Sequence, residues 1–130
     1  MIVVDTSAIM AILLDEVEAP DFHLILALET DVRLSAMTDF EARLLAFGRG
    51  RQRLVDDYNA LFETAGFTVA PFAQDEALMA FEAYRRFGKG NHLARLNFGD
   101  CAAYALAKRL DAPLLFKGED FARTDVRRAL

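Results

Sequence analysis

Four acidic residues sit where this chain passes from a strand-like apolar run into helix or turn. Asp5 closes Ile2-Val3-Val4, Glu41 falls in the first turns of a helical segment, Asp100 opens another, and Asp120 follows Leu114-Leu115-Phe116. This placement constrains the fold, because strand ends and helix starts of an open α/β sheet gather at one edge, where ligands bind. Carboxylates brought together there repel one another and raise each other's pKa unless a cation neutralises them. Oxygen ligands unaccompanied by His or Cys favour Mg²⁺ or Mn²⁺ over zinc or copper. The chain therefore reads as built around a hard-metal site.

The alternation of short apolar runs with helix-patterned segments carries the rest of the fold. Ile2 to Val4 reads as a buried strand feeding a helix whose start is offered the hydroxyls of Thr6 and Ser7, ahead of the apolar run Ala8 to Leu14. Pro20 suits a first helical turn, and Phe22, Ile25, Leu26 and Leu28 keep helical spacing behind it. A strand is expected at Val32 to Ser35. Thr38 with Glu41 three residues on forms a capping-box pattern, with Phe40, Leu44, Leu45 and Phe47 as the apolar face of the helix and Gly48 and Gly50 as its stop. A further helix from about Arg51 to Ala65 presents Leu54, Tyr58, Leu61 and Phe62 and ends at Gly66.

Phe67 to Phe72 follows as a strand, then a helix from Gln74 to Phe87 with Ala77, Phe81 and Tyr84 directed inward. A loop at Gly88-Lys89-Gly90-Asn91, a helix from Phe98 to Leu110, a strand at Leu114 to Phe116 and a short last strand at Val126 to Leu130 complete the expectation. No repeat or linker divides the chain, so residues 1–130 are expected to form a single α/β domain with a mostly parallel sheet of four to five strands flanked by helices.

Composition narrows the function classes. At 130 residues and 54% hydrophobic content, one core is well supplied. Apolar runs such as Ala8 to Leu14 fall far short of the ~20 residues needed to span a bilayer. The opening Met1-Ile2-Val3-Val4-Asp5 lacks the basic region of a secretory signal, and a lone Cys101 cannot build an internal disulfide, so a cytoplasmic protein with no membrane partner is expected. A net charge of −5 is unusual for a protein that grips nucleic acid. Its basic residues are nevertheless clustered, with Arg49, Arg51 and Arg53 in one group and Arg85, Arg86, Lys89, His92 and Arg95 in another. Each cluster reads equally as solvated surface or as a phosphate-binding patch.

Each carboxylate also has a local structural reading. Asp5 is placed to cap the first helix, Glu41 to complete the capping box of Thr38, and Asp100 to complement a helix dipole. Asp100, however, is flanked by Gly99, Cys101 and Ala102, and a carboxylate among small buried-type residues needs a partner. Gly99 permits close backbone approach, and Asn97 can cap the helix or hold water or phosphate. In the polar segment Lys117 to Val126, Asp120 lies nearest the strand end and Asp125 is the weaker candidate. His23 and His92 lack a partner at metal-ligand spacing, Cys101 lacks an activating base, and Ser7 has no G-x-S-x-G elbow.

Taken together, these residues resemble the PIN-domain ribonucleases, and within them the VapC toxins of bacterial type II toxin-antitoxin pairs. The match runs through Ile2-Val3-Val4-Asp5-Thr6-Ser7-Ala8, Thr38-Asp39-Phe40-Glu41, Asn97-Phe98-Gly99-Asp100-Cys101 and Leu114 to Val126. One departure stands out. Many PIN domains carry Thr-x-Asp directly after the last strand, where this chain has Phe116-Lys117-Gly118, so the fourth acid comes from Asp120 or its neighbours.

The resemblance implies a PIN-like fold and an Mg²⁺- or Mn²⁺-dependent endoribonuclease silenced by a cognate VapB-type antitoxin. It implies metal held by Asp5 and Asp100, Glu41 holding metal or orienting water, and Asp120 completing the acidic set. Thr6, Ser7, Asn97 and a base such as Lys117 or Arg95 would position the phosphate. Mean hydropathy of +0.15 in so short a chain also suggests apolar surface left for a homodimer. The principal alternative is a receiver-like phosphoacceptor module, which also gathers carboxylates around Mg²⁺ and keeps a Lys near a strand end. A haloacid-dehalogenase-type phosphatase would need an acid at Ser7, and a catalytically silent PIN-like module would not need the complete acid set.

Overall fold

The computed structural model describes all residues, 1–130. In chain order the elements are β1 Ile2–Val4, α1 Thr6–Leu13, α2 Ala19–Leu28, β2 Val32–Ser35, α3 Ala36–Ala65, β3 Phe67–Ala70, α4 Gln74–Phe87, α5 Phe98–Arg109, β4 Leu114–Leu115 and a 3₁₀ turn Phe121–Arg123. The sheet has four strands in the order β3-β2-β1-β4, all parallel. Helices cover both faces. Three consecutive buried residues in β1 follow from that double cover, since side chains alternate across a strand. Val3 points into the core shared with α4 and α5, whereas Ile2 and Val4 point into the core shared with α1, α2 and α3. Leu114 and Leu115 divide between the same two cores.

The expected strand at Val126 to Leu130 does not form. A single parallel bridge, Leu114 to Arg128, replaces it, held by Leu114 N to Arg127 O at 2.8 Å and Ala129 N to Leu114 O at 2.9 Å. With β4 only two residues long, no longer ladder is available to this edge.

α3 is a helical hairpin rather than one rod. Backbone helicity breaks at Arg51 alone (φ 55°, ψ −150°). In a continuous helix residues 39 and 58 would lie about 28 Å apart at ~1.5 Å per residue. Instead Tyr58 Oη donates to Asp39 Oδ1 at 2.7 Å, and Arg43 Nη1 donates to Asn59 Oδ1 at 2.8 Å. The two-helix reading of this region thus holds, although Gly48 and Gly50 lie inside the first helix and the reversal falls at Arg51. Gly66, in the left-handed region at φ 65°, caps the second.

Three local readings are corrected. The first helix of the hairpin begins at Ala36, capped by Ser35, whose Oγ accepts from Met37 N at 3.1 Å, so Thr38 lies within the helix and is buried. Its inward face is Thr38, Ala42 and Ala46, while Phe40, Leu44, Leu45 and Phe47 are exposed. In α4 the inward face is Glu76, Ala80, Ala83 and Phe87, and Ala77, Phe81 and Tyr84 face outward. In both helices small residues pack against the neighbour and large apolar ones are left on the surface, which inverts the usual pattern of burial.

Candidate active site

β1 has a neighbour on each side, β2 reached through α1 and α2 and β4 reached last, so the strand order changes direction at β1. Ligands of open α/β sheets bind at such a switch point, beyond the carboxyl ends of the strands. Asp5 stands there, 1% exposed, its backbone N donating to Leu115 O at 3.0 Å. It also caps α1. Oδ2 accepts from Ser7 N at 2.8 Å and from Ser7 Oγ at 2.6 Å, and Ser7 Oγ in turn accepts from Lys117 N at 3.0 Å. This chain of bonds from the end of β4 fixes the carboxylate's orientation. Oδ1 is buried without a partner. Burial, and next the nearby Asp100, push Asp5 up to about 7; the two Ser7 bonds oppose the rise and Glu41 adds to it.

Asp100 occupies the third position of α5, where Asn97 Oδ1 accepts from Asp100 N and Asp100 Oδ2 accepts from Asn97 N, both at 2.9 Å. This reciprocal cap satisfies one oxygen and fixes the side chain at the sheet edge. Burial raises Asp100 to about 6; the Asn97 bond opposes this, while Glu41 and Asp120 add to it. Glu41 rises from the second turn of α3, and Thr6 Oγ1 donates to its Oε1 at 2.5 Å. On its other side lies Gly99. A Cβ built at residue 99 would collide with both carboxylate oxygens of Glu41.

The remaining candidates separate. Asp120 is exposed at the start of the 3₁₀ turn, makes no side-chain cap, and lies close enough to Asp100 to raise it. Asp125 points elsewhere, accepting from Tyr104 Oη and pairing with Lys108 Nζ at 3.3 Å and Arg86 at 3.7 Å. The tyrosine bond first, and then those cations, hold it below the usual carboxylate range against the opposing effect of burial. Lys117 sends its ammonium to Glu16 and, at 3.4 Å, to Glu18, so only its backbone N–H serves the Asp5 network. Arg95 lies on the loop beyond α4, exposed, at φ 56°. Glu16 and Glu18 were not singled out by the sequence, since they meet Lys117 only across the fold, 101 and 99 positions away. Cys101 is buried and its thiol pushed up to about 11, which leaves no thiolate for nucleophilic chemistry.

No three His, Cys, Asp or Glu side chains already converge as a closed metal shell. The donor set nevertheless suits a hard divalent ion. Each of Asp5, Glu41 and Asp100 has one oxygen committed to a protein donor and one left over, and the spare oxygen of Asp5 is buried without a partner. Mutual repulsion keeps such groups apart until a cation offsets it. An orphaned buried carboxylate oxygen such as Asp5 Oδ1 is costly to the fold, and an ion would satisfy it.

A doubly covered parallel sheet with Asp5, Glu41 and Asp100 near its switch point defines the class: an α/β protein with carboxylates gathered at the edge where such folds bind ligands. The sequence pattern of the PIN domain matches residues 2–127, and the chain belongs to the PIN-domain family, among its VapC ribonucleases. Ribonuclease VapC28 of Mycobacterium tuberculosis is 43% identical over 129 residues, spanning 98% of this chain and 97% of that one. Ribonuclease VapC of Mycolicibacterium smegmatis is 40% identical over 124 residues, spanning 95% and 96%. Among solved structures, the sarcin-ricin loop cleaving toxin VapC20 of M. tuberculosis superposes with a TM-score of 0.79 at 19% identity, over 97% of this chain and 96% of that one. VapBC2 of Rickettsia felis, bound to a promoter DNA fragment, superposes at 0.75 with 11% identity over 98% and 96%. The family match removes the receiver-like alternative. No helix is long and apolar enough to cross a membrane.

Proposed function

We propose that this chain is a single-domain endoribonuclease, the toxin of a type II toxin-antitoxin pair, that hydrolyses RNA phosphodiester bonds with Mg²⁺ or Mn²⁺. One observation carries the reading of the site. Asp5 Oδ1 is buried and unpartnered beside Asp100 and Glu41, while its other oxygen is pinned by Ser7. Asp5 and Asp100 would hold the ion, with the spare oxygen of Glu41 turned to the ion or to the attacking water. The chemistry such an ion supplies is charge neutralisation on the phosphate and a more acidic, hence more nucleophilic, water.

The residues of the chain do the positioning. Thr6 holds one oxygen of Glu41, Ser7 one of Asp5, and Asn97 one of Asp100, so each carboxylate has one oxygen left to turn toward the ion. Asp120, whose charge raises Asp100, would complete the acidic set. Phosphate contacts of Thr6, Ser7, Asn97, Lys117 and Arg95 would orient RNA without reading its sequence. In the present geometry Lys117 must first leave Glu16 and Glu18.

A cognate VapB-type antitoxin is the expected partner, in keeping with relatives solved as a toxin-antitoxin complex from Klebsiella pneumoniae and as VapBC2. An Arg or Lys of such a partner would be drawn to the same carboxylates. A homodimer is supported by large apolar side chains left on the surface, among them Phe40, Phe81 and Phe98 at 57%, 57% and 75% exposure. The test is cleavage of a mixed-sequence RNA with and without Mg²⁺ by the wild type and by Asp100→Asn. Cleavage that needs Mg²⁺ and disappears in Asp100→Asn is the expected result; an equally active Asp100→Asn removes the assigned site.

A further inference from the structure

Next to Ser7, the partner of Asp5, lies a recess of about 420 Å³ whose wall holds Lys117 and also Arg49, a cation to which the mechanism above gives no part. It is bounded by Ser7 and Met10 of α1, by Leu45 and Arg49 of the hairpin, and by Lys117 and Gly118 after β4. Its size falls within the ~300–1,000 Å³ of small-ligand sites. Ser7 forms part of its wall and also donates to Asp5 Oδ2, so the recess adjoins the carboxylates through this residue.

Arg49 is the notable group on that wall. In a chain with 20 acidic and 15 basic residues, most cations find a carboxylate. Arg33, Arg43, Arg85, Arg86, Lys108, Arg109, Lys117 and Arg127 all do. Arg49 forms no ion pair, although Glu16 lines the same recess; Glu16 pairs with Lys117 instead. It projects from the exposed end of the hairpin just before the reversal at Arg51, with Arg51 and Arg53 following. A free guanidinium whose five donors suit phosphate geometry thus faces a recess that shares Ser7 with the site; its wall is mostly apolar, with Ser7, Glu16 and Lys117 as the other polar side chains.

Resting on the ribonuclease reading above, we propose that this recess takes the sugar-phosphate unit next to the scissile bond and that Arg49 binds its phosphate. The RNA strand would then run from the carboxylates across Ser7 to the tip of the hairpin. Arg49 is a substrate-binding residue in this scheme, and the reversal at Arg51 is the structural device that carries it to the site. RNA is favoured over a protein segment because the recess shares Ser7 with the catalytic carboxylates and offers a single unpaired cation, the arrangement a polyanion crossing the site requires.

The test compares Arg49→Ala, Arg49→Lys and, as an equal change of charge outside the recess, Arg127→Ala, whose guanidinium pairs with Asp111 ahead of β4. Binding of a fluorescein-labelled ten-nucleotide single-stranded RNA is followed by anisotropy in an Asp100→Asn background between 50 and 200 mM salt, and cleavage is followed in the otherwise wild-type chain. Arg49→Ala should raise Kd and KM about tenfold and flatten the slope of log K against log salt by about 0.7, as the loss of one phosphate contact on a single strand requires. Arg49→Lys should recover most of the affinity and the slope. If Arg49→Ala matches Arg127→Ala in Kd, KM and slope, the inference is wrong. It is equally wrong if Arg49→Ala weakens binding of the antitoxin and leaves RNA untouched, since the recess then belongs to the protein partner. A parent chain that neither binds nor cleaves RNA defeats the ribonuclease reading itself.

Discussion

Gly99 sits so close to Glu41 that a single methyl group at residue 99 would overlap both oxygens of its carboxylate. Glu41 is held from the other side by Thr6 Oγ1, which leaves it little room to yield. The first turn of α5 and the second turn of α3 therefore meet through one glycine and one acid.

Gly99→Ala is accordingly expected to act on activity more than on stability. Alanine gains up to about 1 kcal/mol of helix propensity over glycine, which offsets part of the strain. Displacing Glu41 from the site should lower cleavage by ~100-fold, the scale of a misplaced catalytic group. Thermal melts beside cleavage rates decide: a variant that melts normally and cleaves normally shows that Glu41 has no catalytic part.

The carboxylates also predict how the metal-free protein responds to pH. Asp5 at about 7 and Asp100 at about 6 both lie above their unfolded value of 3.8. Between roughly pH 4 and 7 the folded state therefore binds more protons than the unfolded one, and stability falls as pH rises through that window. Asp5→Asn should flatten this decline and raise the melting temperature of the metal-free protein above that of the wild type at pH 7.5. Metal binding should strengthen from pH 5.5 to 7.5, because the ligands must lose their protons. Melting curves in EDTA across that range test both; a wild type whose stability rises from pH 5 to 7.5 as steeply as that of Asp5→Asn contradicts the coupling.

How far the sequence reached follows from what kind of signal each feature leaves. Asp5, Asn97 and Asp100 were legible because a carboxylate after an apolar strand and an Asn three residues before an acid are local patterns, and the caps they describe are present. The hairpin was legible as two helices, but its reversal was assigned to Gly48 and Gly50, because glycine is the usual residue for a helix end and a left-handed arginine leaves no mark in sequence. The outward faces of α3 and α4 misled for a related reason. Large apolar residues at helical spacing read as core, yet here Ala42, Ala46, Ala80 and Ala83 make the close packing. The Lys117 pairs with Glu16 and Glu18 were invisible, since nothing local links positions about a hundred residues apart.

The hairpin's geometry depends on Tyr58, a buried phenol donating to Asp39 beneath the Arg43 guanidinium, which lies 5.0 Å from the ring centre. Tyr58→Phe keeps the packing and removes the bond, at a cost of about 1 kcal/mol. For a chain of this size that corresponds to a melting temperature about 3–5 °C lower. Asp39 retains Arg43, so the loss should not be larger. If Arg49 works from the hairpin tip, KM for RNA should rise in Tyr58→Phe while the metal-induced rise in melting temperature stays as in the wild type. A lost metal response would instead place the coupling between hairpin and carboxylates.

Asp120 and Asp125 should separate stability from catalysis. Asp125 accepts from Tyr104, whose phenol is pushed well above its usual range by burial and then by this bond, and it pairs with Lys108 and Arg86. Asp125→Ala strips an acceptor from Tyr104 and should cost about 1 kcal/mol, with little added by the two exposed ion pairs. Asp120 has no such ties. It is exposed, and its distinguishing relationship is the charge it places near Asp100. Asp120→Ala should therefore change stability by less than about 0.5 kcal/mol. If Asp120 supports the metal site, the same substitution should lower Mg²⁺ affinity or cleavage by ~10-fold to 100-fold. Titrating Mg²⁺ against cleavage rate for both variants, with melts in parallel, reads the two effects independently. Greater loss of cleavage in Asp125→Ala at saturating Mg²⁺, with both proteins fully folded, would reverse the assignment and move the fourth acid to the end of the Tyr104 network.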